Sequence, residues 1–327
     1  MGFNMRRPAI RITAIALSTL IFAASVWYIA RTFQWVQIGR LLTKVDLVAL
    51  VCGGGGSLIL YWFLRAVRWQ FLLRKMGVRI SFLDVYLCTG VTVSFAIFTP
   101  FQSGELLKVE LLKKYGMVGR FTGYGTFAVE RVLDLVVLLS LGCVSLLTTV
   151  DILPDRRDAY VILAVILLAA LGGLLVALKL RLRGKLGEFL SHIRECVRDF
   201  RTLLGAFLIT CASWSVVALS WQIFLYSGGV NLGYTRSMAL MAVVALISIL
   251  SLIPGGLGIS EASTTQILVH YGQAVPAAQA GTLVLRSYSI LAIALGAGHL
   301  GAWQMVRHCR RRRVECLAAP LSGESPA

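Results

Sequence analysis

Apolar runs long enough to cross a bilayer recur along this chain, and little sequence is left over to fold in water. Ile12–Ala30, Leu47–Leu64, Leu133–Val150, Ala159–Leu178 and Leu203–Leu225 each reach about 18 residues or more, the length that spans a hydrocarbon core as a helix. Charged residues make up 14% of the 327, against about a quarter in soluble domains. The expectation is an all-α polytopic membrane protein with no soluble catalytic domain. A net charge of +17 does not point to a nucleic-acid partner, because the lysines and arginines cluster in short loops, as cytoplasmic loops do. None of the seven cysteines forms a C-x-x-C pair, so no metal centre, cofactor site or disulfide framework is expected. Met5–Trp27 has the composition of a secretory leader but is read as the first span, since its removal would leave the first half one helix short.

The halves emerge from an internal repeat. Arg68–Val78 aligns with Ser220–Val230, pairing Trp69 with Trp221 and Gly77 with Gly229 at an offset of 152. Pro100 pairs with Pro254 at 154, Glu105 with Glu261 and Gly116 with Gly272 at 156, and Arg131 with Arg286 at 155. The order is kept throughout, so residues 1–155 and 156–306 read as two halves, each helix, helix, broken segment, helix, with 307–327 a basic cytoplasmic tail. Charge bias then sets the orientation: 23 basic residues fall in the segments 6–11, 65–79, 113–120, 179–201 and 307–313, and six in 31–44, 156–157 and at Arg236. This works only if about 81–120 enters and returns on one side as a re-entrant hairpin, with about 234–272 a hairpin opening to the other. Six full transmembrane helices, two opposed hairpins and cytoplasmic termini make an inverted-topology repeat. Phe82–Thr99 is long enough to span by itself, so the hairpin rests on parity and charge.

Each hairpin holds a break. Non-helical backbone at membrane depth survives only inside protein or beside a wet cavity. Pro100 and Gly104 precede Glu105 in one half; Pro254, Gly255, Gly256 and Gly258 precede Glu261 in the other. The helix after each break starts inside the membrane with free N–H groups and a positive dipole end, which Ser103 and Ser260 are placed to cap. Two such ends near the midplane would suit an anion. The plain alternative is a pair of kinked helices whose glutamates satisfy the local dipole.

Glu130, Arg131 and Asp134 share one helix face and read either as a self-neutralising cluster or as site residues. Arg286 has no acid within a helical turn, so its partner lies across helices or in a ligand. Two repeat-related arginines suit a phosphate. Glu105 and Glu261 are left with three partners: a cationic headgroup, a coupling proton or those arginines. Arg65, Arg68 and Trp69 read as an interfacial end of the second helix, the tryptophan anchoring and the arginines snorkelling. Gly53–Gly56 reads as a close helix contact, and His270 and His299 as structural.

The stretches "LRAVRWQFLL" (Leu64–Leu73), "PFQSGELLKVELLKKYG" (Pro100–Gly116), "FAVERVLD" (Phe127–Asp134), "IPGGLGISE" (Ile253–Glu261) and "LRSYS" (Leu285–Ser289) resemble the flippase-like transmembrane domain of lysylphosphatidylglycerol synthases and its stand-alone relatives. The resemblance covers about residues 10–306. It implies a stand-alone member without the synthase domain, translocating a polar- or phosphate-headed lipid between leaflets of the cytoplasmic (inner) membrane by alternating access. A separate lipid-synthesising enzyme is then an expected partner, and the chain itself is expected not to be an enzyme. Arg131 and Arg286 would hold the phosphate, and Glu105 and Glu261 would tune the headgroup or proton coupling. The rivals are a membrane-embedded lipid-modifying transferase, for which Glu188, His192 and Glu195 in the basic 179–201 loop are the only candidates, and a proton-coupled small-solute carrier.

Overall fold

The computed structural model describes residues 23–24, 27–97, 99–149, 191, 193–194, 198–250 and 253–318. The span expected at Ala159–Leu178, the boundary near 155, and Glu188, His192 and Glu195 lie outside the described residues, as does most of the span expected at Ile12–Ala30. The described secondary structure is helical. After a helical segment ending at Thr32 come α1 (Trp35–Leu42), a π-helical turn (Ala49–Gly54) running into α2 (Gly55–Lys75), α3 (Phe82–Ala96), a 3-10 segment (Pro100–Leu106), α4 (Leu107–Lys114) and α5 (Arg120–Thr149). The second set is α6 (Phe200–Ser227), α7 (Tyr234–Leu250), a 3-10 turn (Pro254–Gly256), α8 (Ile259–His270) and α9 (Val275–Ala318). Ala49–Lys75, Phe200–Ser227 and Val275–Arg310 are long and apolar enough to cross a membrane.

The repeated glycines explain where the repeated helices stop. Gly77 and Gly229, and likewise Gly116 and Gly272, all hold positive φ. Each sits just past a helix end, where an L side chain would be strained. The residue after each closes the turn back five positions: Val78 N–H to Leu73 O, Val230 to Leu225, Met117 to Leu112 and Gln273 to Leu268. Four matched glycines thus fix the ends of α2, α6, α4 and α8.

Small residues let the two sets interlock. A Cβ on Gly54 would lie 2.7 Å from the Phe224 ring, so α2 and α6 meet at backbone distance. Ser220 Oγ donates to Ser57 Oγ at 2.8 Å one turn further on. This bears on the four-glycine run, whose close contact is with Ile223 and Phe224. The helix before each break, α3 or α7, also packs on the last helix of the other set. On α5, a Cβ at Gly142 would fall 2.7 Å from Ala242 of α7. At Gly296 of α9 it would meet Ser94 of α3, whose Oγ donates to Ala292 O at 2.9 Å. Gly142 and Gly296 are themselves 154 apart, inside the offsets of the repeat.

At the start of α6, Asp199 is the N-cap: its carboxylate accepts from Arg201 N–H at 3.1 Å, Thr202 Oγ1 at 2.9 Å and Lys75 Nζ at 2.7 Å. These donors, Lys75 and Thr202 foremost, hold its pKa down at about 2. An unfolded aspartate titrates near about 3.9. A carboxylate with a depressed folded pKa stabilises above its unfolded value, and that contribution is lost as pH falls through the folded one. Melting curves should therefore drop between about pH 4 and pH 2, and Asp199→Asn, which keeps an oxygen for the cap, should flatten that part of the drop.

Candidate functional site

Four basic and three acidic side chains meet between α2, the first break, α4 and α5. Asp134 is the hub. It accepts from Arg68 Nη1 at 2.6 Å, Arg65 Nη2 at 3.3 Å and Trp214 Nε1 at 3.3 Å, and pairs with Arg131 at 2.9 Å. Glu130 accepts from Arg68 Nε at 3.1 Å and pairs with Lys108, whose ammonium lies 4.5 Å from the centre of the Trp69 ring. Glu105 accepts from Arg65 and Arg131, both at 2.8 Å. Arg65 and Arg68 are 2% and 0% exposed, and Trp69 is fully buried, its indole N–H donating to Thr126 Oγ1 at 3.2 Å. The expectation of snorkelling arginines and an interfacial tryptophan is corrected. Carboxylates 40 to 69 residues downstream draw both guanidiniums inward. A buried charge is tolerated only when paired. The 65–79 segment therefore counts three loop charges toward topology, Arg74, Lys75 and Arg79, rather than five.

The second break is built differently. Gly255, Gly256 and Gly258 all have positive φ, and Gly258 is the N-cap of α8. Its N–H donates to Glu261 Oε2 at 2.6 Å, so the glutamate reaches back to satisfy its own helix start. Ser260 does not cap the helix; it donates to the same carboxylate oxygen at 3.0 Å. Ser103 does not cap either. It is exposed, and Gly104 N–H donates instead to Thr99 Oγ1 at 2.7 Å. In both halves the helical turn starts before the serine: Ser103 is the fourth residue of the 3-10 segment, after the N-cap Thr99, and Ser260 the second residue of α8, after the N-cap Gly258.

Glu261 Oε1 pairs with Arg286 Nε at 3.2 Å, and Arg286 Nη1 donates to Gly255 O at 3.0 Å. Of the three partners open to the glutamates, the structure places both on the arginines, Glu105 with Arg131 and Glu261 with Arg286. The repeat-related residues thus form repeat-related pairs, each tying a break to the long helix that follows it.

A cavity of about 240 Å³ lies between the breaks. Glu105, Thr99 and Ile97 reach it from the first set, and Glu261, Ser260 and Arg286 from the second. Its walls are aromatic, from Trp62, Trp214, Trp221 and Tyr288. Arg131, Glu130, Asp134 and Ser103 are not on it. Among the proposed site residues, then, Glu105, Glu261, Ser260 and Arg286 share one space, while Glu130 and Asp134 are enclosed in the ionic network behind it.

One asymmetry escaped the sequence reading. The repeat mates of Arg65, Arg68, Lys108, Glu130 and Asp134 are Val217, Ser220, Thr264, Leu285 and Ser289, all uncharged. Val217, Thr264, Leu285 and Ser289 face the cavity. What the first set fills with charge, the second leaves as open space lined by hydroxyls and apolar groups. The signal was present in the offsets already used for Trp69 and Glu105. Among the described residues no group of three His, Cys, Asp or Glu side chains could hold a metal ion.

A helical membrane protein with broken apolar helices around a largely apolar cavity that holds a few charged side chains is the class this defines. Over residues 14–296 the sequence matches the lysylphosphatidylglycerol synthase TM region, and the chain belongs to that family. Glycosyltransferase AglD of Haloferax volcanii is 27% identical over an alignment covering 85% of this chain and 52% of that protein, so the chain spans about half its length. A UPF0104 membrane protein of Pyrococcus horikoshii is 22% identical over 65% of this chain and 74% of its own. Another, from Archaeoglobus fulgidus, is 23% identical over 84% and 88%.

Proposed function

We propose that the protein is a lipid translocase that passes a polar- or phosphate-headed lipid between the leaflets of the cytoplasmic membrane, with the cavity between the breaks as its headgroup site. The observation that carries this reading is the Arg286–Glu261 pair on the cavity wall, an ion pair at 3.2 Å that keeps 26% of the arginine side chain exposed. A charge at that depth is costly and marks a pathway for a polar group. A cavity of about 240 Å³ suits a headgroup whose tails stay in the bilayer.

The topology belongs to the same proposal. The 15 residues of α3 rise about 22 Å, short of the roughly 30 Å core. The 17 of α7 rise about 25 Å, and the 12 of α8 and the 8 of α4 are shorter still. Helices of these lengths on either side of a break support re-entrant hairpins, about 81–120 and 234–272, in halves of opposite orientation with both termini cytoplasmic. Alternating access then means that each hairpin opens its side in turn. The chain works without catalysing a reaction, on lipid supplied by a separate synthesising enzyme. The transferase and the small-solute carrier are the readings it competes with.

The test is leaflet exchange of labelled phospholipids in proteoliposomes. Wild type should exchange a phosphate-headed lipid, and Arg286→Ala and Glu261→Ala should lose most of that activity while staying folded. Folded wild type that exchanges no lipid tried would sink the proposal and favour a transferase or solute carrier.

A further inference from the structure

Trp62 and Trp214 are repeat mates, 152 apart like Trp69 and Trp221, and both line the cavity. Trp214 donates its indole N–H to Asp134. Trp62 is 0% exposed, yet its Nε1 has no hydrogen-bond acceptor. Trp303 Nε1 is another such indole N–H, but of the two only Trp62 lines the cavity, and a buried donor without an acceptor calls for a specific account. Here the repeat supplies one. The mate of Asp134 is Ser289, so the carboxylate that answers Trp214 has no counterpart for Trp62. Ser289 follows Arg286 by three residues, as Asp134 follows Arg131, and so shares its helix face.

We infer that Trp62, Ser289 and Arg286 form a binding site for a phosphate-ester group, whose anionic oxygens take the place that the Asp134 carboxylate fills in the first half. The donors suit it. Arg286 commits Nε to Glu261 and Nη1 to Gly255 O, which leaves Nη2 for a guest; the Ser289 hydroxyl adds a donor, and the Trp62 N–H, closed off until a guest parts the wall, adds another. A tetrahedral phosphate offers several acceptor oxygens, and charge-assisted bonds to it are the strong kind. A cationic guest finds no such welcome here. Glu261 already answers Gly258, Ser260 and Arg286, and Glu105 already answers Arg65 and Arg131. That the phosphate belongs to a lipid rests on the translocase reading; the site itself does not.

The test is calorimetric titration of the detergent-solubilised protein with dihexanoyl phosphatidylglycerol, glycerol phosphate and inorganic phosphate, for wild type and Trp62→Phe. Phenylalanine fills the wall but removes the N–H. The expected result is binding of the short-chain lipid, weakened about tenfold in Trp62→Phe. Without ligand, Trp62→Phe should melt no lower than wild type, because it deletes an unanswered donor, whereas Trp214→Phe, which deletes an answered one, should melt lower. No binding by any probe, equal binding by Trp62→Phe, or a fall in its melting temperature matching that of Trp214→Phe would overturn the site. Tighter binding of the soluble phosphates than of the lipid would support the site and count against a lipid as its guest. Leaflet exchange by wild type with unchanged Trp62→Phe affinity would remove the site and leave the translocase. Binding sensitive to Trp62→Phe without exchange would do the reverse.

Discussion

Asp134→Ser should destabilise the folded protein by about 3–5 kcal/mol, the penalty for breaking a buried ion pair from one side. The substitution writes into the first half the residue that the second half carries at Ser289. It leaves Arg65, Arg68, Lys108 and Arg131 against Glu105 and Glu130 alone, and it orphans the indole N–H of Trp214. Arg68 suffers most, keeping only Glu130 and Thr210 while fully buried. Arg286→Gln, by contrast, should cost less, because Glu261 keeps the Gly258 N–H and the Ser260 hydroxyl as partners and the arginine makes a single ion pair outside the network. Thermal melts of the two variants in one detergent check this. If Asp134→Ser melted no lower than Arg286→Gln, the first-half cluster would not be the structural lock described here.

The repeat was readable because its landmarks are positions where chemistry allows few substitutes. Glycine past a helix end, glutamate after a break and arginine on the next helix recur at nearly constant offsets, and the structure gives the glycines positive φ and each glutamate its repeat-matched arginine in both halves. Arg65 and Arg68 were misread for a local reason. Near the end of an apolar run an arginine looks like a loop charge, and hydropathy carries no information about the carboxylates of a distant helix. The capping serines were misread because capping is a contest among neighbours. At Gly258 the flexible backbone lets Glu261 fold back to the helix start, so Ser260 is left to support the carboxylate. Trp62 gave no signal as a single residue, since an aromatic in an apolar helix is ordinarily packing. Only its mate's bond to Asp134, and the serine where a second aspartate would stand, single it out.

That pairing makes Ser289→Asp the converse experiment. A carboxylate at this position would accept from Trp62 and lie three residues from Arg286 on the same helix face, completing in the second half the arrangement that Asp134 completes in the first. The new charge joins a cavity where an arginine and an unanswered indole N–H already await an acceptor, so its burial is compensated. The variant should fold and melt at or above the wild-type temperature. It should also hold an internal competitor in the phosphate's place, acting at an effective concentration on the order of millimolar or more. Lipid exchange in proteoliposomes should then fall to the level of protein-free vesicles, while Ser289→Asn, of similar size but uncharged, should retain part of it. Loss of exchange with loss of folding would make the position merely structural. Full exchange by a stable Ser289→Asp protein would mean that the guest's anion binds elsewhere in the cavity.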